Sequence, residues 1–61
     1  MDAKAVVDLR GLKAHVAKYF PMNSVSYQVI MAEPDEIPTE EYVAKVIVWD
    51  RMIRAELKAR P

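Results

Sequence analysis

Ser24-Val25-Ser26-Tyr27-Gln28-Val29-Ile30-Met31 can be read in two ways, and the architecture turns on which is right. Taken as a strand, Val25, Tyr27, Val29 and Met31 face one way while Ser24, Ser26 and Gln28 face the other. Taken as a helix, the segment could be capped by Asn23 or Ser24, but its apolar side chains scatter around the axis. The β-branched and aromatic content favours the strand over 24–31. A lone strand must still find partners for its backbone donors and acceptors. Either the N-terminal segment supplies them, or the same strand of a second copy does, forming a ribbon.

Upstream, residues 2–20 fit a helix with the stripe Ala5, Leu9, Leu12 and Val16, closed by Tyr19 and Phe20. Asp2 is its candidate N-cap, Lys18 complements the dipole of its last turn, and Pro21 lies just beyond its end. Gly11 weakens this reading by about 1 kcal/mol relative to Ala. Lys4 to Arg10 also alternates, so a short strand followed by a helix from Leu12 competes with it. Downstream, Glu33-Pro34-Asp35-Glu36-Ile37-Pro38 forms an acidic segment whose two prolines forbid helical interior, and it reads as a hinge within one domain spanning residues 1–61.

The remaining stretch, 39–60, reads as one long helix. Glu40 and Glu41 sit in its first turn and Arg51, Arg54, Lys58 and Arg60 in its second half, an order that follows the helix dipole. It carries two apolar stripes. Tyr42, Val46, Trp49, Ile53 and Leu57 have core-facing spacing and are the expected core anchors. Ala44, Val48, Met52, Ala55 and Ala59 form a second stripe, of which Val48, Met52, Ala55 and Ala59 are the candidate interface. The expected fold is therefore mainly α (small α+β), with helix 2–20, short strand 24–31 and helix 39–60 assembled as a homo-oligomer. An all-α three-helix bundle is the alternative.

Size points the same way as the second stripe. A chain of 61 residues has a thin margin, because ordering costs roughly 1.5 kcal/mol per residue and largely cancels what one small core supplies. With no cysteine and one histidine, disulfides and a structural zinc site are poor remedies, which leaves a partner. An apolar content of 52% beside 30% charged residues argues for a folded protein over a disordered one. The N-terminus lacks the pattern of a secretory signal and no apolar run approaches a membrane span, so a cytoplasmic protein is expected. A net charge of zero supplies no field that would gather nucleic acid or anionic lipid.

Little here suggests chemistry. His15 is the single histidine, but Asp8 lies two helical turns away on a continuous helix, about 10 Å along the axis and too far for a catalytic dyad. The few hydroxyl side chains have no base and orienting group beside them. Glu33, Asp35, Glu36, Glu40 and Glu41 cluster in sequence without the spacing of a calcium loop, and no metal or cofactor is expected. Arg51, Arg54 and Lys58 share one side of the last helix, where they are either candidate nucleic-acid contacts or a solvated face with pairs such as Asp50–Arg54.

Asn23-Ser24, Tyr27-Gln28 and Met31 resemble a stretch of small ribbon-helix-helix phage repressors, over residues 23–31 only. The resemblance implies that this stretch opens a helix, and it implies DNA binding. From the residues themselves the expected function is that of a small non-enzymatic regulatory or adaptor protein, acting through self-association and contacts with another protein. The alternative is a dimeric DNA-binding regulator of ribbon type.

Overall fold

The computed structural model describes residues 5–60. The elements run β1 (Val6–Asp8), α1 (Arg10–Tyr19), α2 (Val25–Met31), β2 (Glu36–Pro38) and α3 (Thr39–Ala59). The chain is thus mainly helical, with β1 and β2 forming a two-stranded antiparallel sheet.

The sheet corrects one expectation. In place of a continuous helix over 2–20, Val6–Asp8 is a strand and the helix starts only at Arg10. The proposed Asp2 cap lies outside the described residues. The acidic segment 33–38 contributes β2, Glu36–Pro38, at its end. Val7 faces Ile37, and the ladder is extended by Thr39 N–H donating to the Ala5 carbonyl at 3.1 Å and Leu9 N–H to the Asp35 carbonyl at 2.6 Å. Hydrogen-bonded pairs alternate along an antiparallel ladder, so Pro38, opposite Val6, falls where an N–H would point away from the other strand. The proline costs the sheet nothing.

Asp8 explains where α1 begins. Its carboxylate accepts from the Arg10 N–H at 2.9 Å and from the Arg10 guanidinium at 2.7 Å, which serves as a cap from one position before the N-cap residue Leu9. Leu9 itself is buried. Gly11 then lies in the first turn rather than mid-helix.

The second correction is at 24–31, which is helical. Ser24 is the N-cap, and its hydroxyl accepts from the Tyr27 N–H at 3.2 Å. A turn leads into it, with Ser24 N–H donating to the Pro21 carbonyl at 2.9 Å. Ser26 and Ile30, four residues apart, are the buried positions, while Val25, Gln28 and Val29 face outward. One inward position is a serine, so the apolar pattern alone hid the helical period. With β1 paired to β2 there is no ribbon of 24–31.

Helix α3 follows the 39–60 expectation to within one residue. It starts as soon as β2 stops, because the Thr39 N–H is committed to Ala5 and Pro38 has no N–H to satisfy. The core is drawn from every part of the chain: Leu9, Val16, Phe20, Ile30, Ile37 and Trp49 are buried, and Val7, Leu12, Tyr27, Tyr42, Val46, Met52 and Ile53 pack against them. Tyr42 meets Trp49 edge to face, with ring centroids 6.1 Å apart. Among the described residues no helix is long and apolar enough to cross a membrane.

Candidate functional site

Helix α3 positions the first candidate surface. Its inner face holds Trp49 in the core with Tyr42, Val46 and Ile53 packed beside it, while Leu57 near the C-terminus is half exposed. Its outer face is also apolar in the middle. Val43, Ile47 and Val48 are 56, 54 and 61% exposed, and Ala44 lies among them. A helix that is apolar on both faces is normally covered on both.

The candidate interface residues divide. Val48, Ala55 and Ala59 are exposed, whereas Met52 packs against the core and does not belong to the outer face. Val43 and Ile47, which the sequence reading passed over, take its place. Arg51, Arg54 and Lys58 are exposed on this outer side, turned away from α2, and Arg54 pairs with Asp50 at 3.0 Å. Lys45 lies on a flank, where it binds Glu33 and Glu41, each at 2.8 Å. These carboxylates, Glu33 first, raise its pKa.

The second surface is built by α1, the turn at 20–24 and α2, which have the connectivity of a helix-turn-helix. Its outward side carries Met22, Val25 and Val29, with Gln28 and no carboxylate. The back of α2 is fixed to α3 through Glu56. One carboxylate oxygen accepts from the Ser24 hydroxyl at 2.9 Å and from the Ser26 N–H at 3.0 Å. The Ser26 hydroxyl, fully buried, lies beside the same group but outside ordinary hydrogen-bond geometry. Ser26, then Ser24 and the Ser26 backbone N–H, hold the Glu56 carboxyl down to about 2. Its charge is thus spent on α2 and is withheld from the outward face.

An open cleft of about 380 Å³ lies between α1 and the end of α3, lined by Leu12, His15, Tyr19, Ile53, Leu57 and Arg60 among others. The His15 and Tyr19 rings meet at a tilt of 50°, centroids 4.7 Å apart, and the Arg60 guanidinium lies 5.0 Å from the Phe20 ring centre. Asp8 is engaged by Arg10 and held down to about 2 by it, so no Asp8–His15 pair forms. Of the acidic residues clustered in sequence, Asp35 turns to Lys13 at 3.0 Å and Glu33 to Lys45, while Lys13 also donates to the Glu33 carbonyl. Three of the five are thus held by lysines, Asp35 by Lys13 and both Glu33 and Glu41 by Lys45.

No protein-family description, curated protein or solved structure matches this chain.

Proposed function

We infer that this chain is a small non-enzymatic regulatory protein that acts by contact, associating with itself and with another protein. The observation that carries this reading is the outer face of α3, where Val43, Ile47 and Val48 stay open to water while the opposite face of the same helix holds the core tryptophan. Exposed β-branched residues scattered singly are ordinary; adjoining ones on one helix face support a contact surface. The test is absolute molecular mass by light scattering over a wide concentration range, for the natural chain and for Ile47→Asp. A mass that rises with concentration and stays monomeric in the variant supports the reading. A natural chain that is monomeric throughout overturns its self-association.

The helix-turn-helix connectivity of α1 and α2 favours a second reading, a regulator of duplex DNA. In such proteins the second helix enters the major groove. Gln28 could there pair with an adenine edge, and Val25 and Val29 could meet thymine methyl groups. This replaces the ribbon version of the same idea, since 24–31 is not a strand. Fluorescence anisotropy with a labelled duplex of mixed sequence at low salt decides it. Binding that weakens steeply with salt and is lost in Gln28→Glu supports the reading, and a flat titration removes it.

A further inference from the structure

We propose that the partner covering the outer face of α3 is a second copy of the same helix, running antiparallel about a two-fold axis that passes between Lys45 and Val46. This rests on the self-association inferred above and adds its geometry. Over residues 40–51 the exposed residues of this face are Glu40, Val43, Ala44, Ile47, Val48 and Arg51, and Arg54, Ala55 and Lys58 continue it towards the C-terminus. Within 40–51 they form two adjoining rows of four-residue spacing, 40-44-48 and 43-47-51, and this stretch reads the same from either end.

Antiparallel pairing about that axis therefore sets Val43 level with Val48 of the second copy, Ala44 level with Ile47, and Glu40 level with Arg51. Every apolar residue of the 40–51 stretch meets an apolar one. Each terminal charge meets its opposite, and the symmetry makes both pairs twice over. The small Ala44 opposite the larger Ile47 lets the helices approach closely near the axis. A parallel arrangement in register would instead set Glu40 on Glu40 and Arg51 on Arg51, two like-charge contacts, so the charge pattern selects the direction. The seam is short beside the roughly 20–30 residues per side of a standard interface, so the dimer is concentration-dependent and not permanent.

The absence of cysteine makes the direction directly measurable. In the antiparallel dimer two copies of residue 40 stand about 16 Å apart along the helix axis, as do two copies of residue 51, beyond the reach of a disulfide. Under mild oxidation Glu40→Cys alone and Arg51→Cys alone should remain monomeric on non-reducing gels, while an equal mixture of the two forms the mixed disulfide. In parallel, Glu40→Lys and Arg51→Glu should each weaken association roughly tenfold at low salt, and the double variant should recover it. Recovery separates a lost contact from a damaged fold, since damage from one reversal is not repaired by the other.

Mixed cross-linking together with recovery supports the proposal. Self-linking of Glu40→Cys in a chain that does associate overturns the antiparallel geometry and leaves self-association standing. A natural chain that stays monomeric at every concentration overturns both.

Discussion

Ser24 and Glu56 join the two helices that matter most to the surface. The Ser24 hydroxyl caps α2 by accepting from Tyr27 N–H and also donates to Glu56. Ser24→Ala removes both interactions and should cost at least about 1 kcal/mol in urea unfolding, with Ser24→Thr retaining most of it. Ser24→Asp should fail to rescue, although Asp is a good cap, because it would place a second carboxylate against Glu56. The same contact sets a pH dependence. Glu56 has an ordinary value of 4.5 and is held near 2 in the folded chain, so it binds a proton less readily when folded. Its contribution is complete above about pH 4.5 and is lost as pH falls from there towards 2. Asp8, lowered by Arg10 from 3.8 to about 2, acts in the same direction, but it is open to water and its share is screened. Thermal melts of the natural chain should therefore fall across that acid range. Glu56→Gln should show a shallower acid slope, and an unchanged slope would mean that the Glu56 contact adds nothing to stability.

Each helix was legible in the sequence to the degree that its inner face was apolar. Helix α3 has Tyr42, Trp49 and Ile53 on one side over many turns, and its limits could be read to within one residue. Helix α2 spans only Val25–Met31, and it turns Ser26 inward to meet Glu56, so its period became visible only through a contact with residue 56. The resemblance of 23–31 to a helix start carried the right local structure where residue alternation did not. The strands are three residues each and pair across the whole helix-turn-helix, a long-range contact that no local pattern encodes. The outer face of α3 is half legible for a related reason: which flank of a helix is covered depends on where its neighbours dock, so spacing alone puts Met52 on the surface and does not single out Val43 and Ile47. Helix α1 offers a prediction of its own. Gly11 lies in its first turn with an ordinary backbone, and a Cβ built there meets nothing within 4 Å. Gly11→Ala should therefore stabilise the chain by about 0.4–1 kcal/mol, read as a higher urea midpoint with an unchanged slope.

The small size of the chain ties its stability to its assembly. Among the described residues six form the buried apolar core, a modest store against the ordering of a 61-residue chain. Anything that binds the folded form and not the unfolded one adds stability by mass action, about 1.4 kcal/mol when the partner is present at ten times its Kd. If α3 is covered by a second copy, that partner is the protein itself, and dilution removes it. For a domain of this length 1 kcal/mol moves the melting temperature by about 4–8 °C, so the natural chain should melt roughly 5–10 °C higher well above its association constant than well below it. Ile47→Asp buries a carboxylate in the seam of the dimer but leaves it in water in the monomer, where Ile47 is already exposed. The variant should consequently match the natural chain when both are dilute and fall behind only as concentration rises. That divergence assigns the outer face of α3 a role in assembly rather than in the fold of the single chain; equal melting at every concentration would show that the face stays in water.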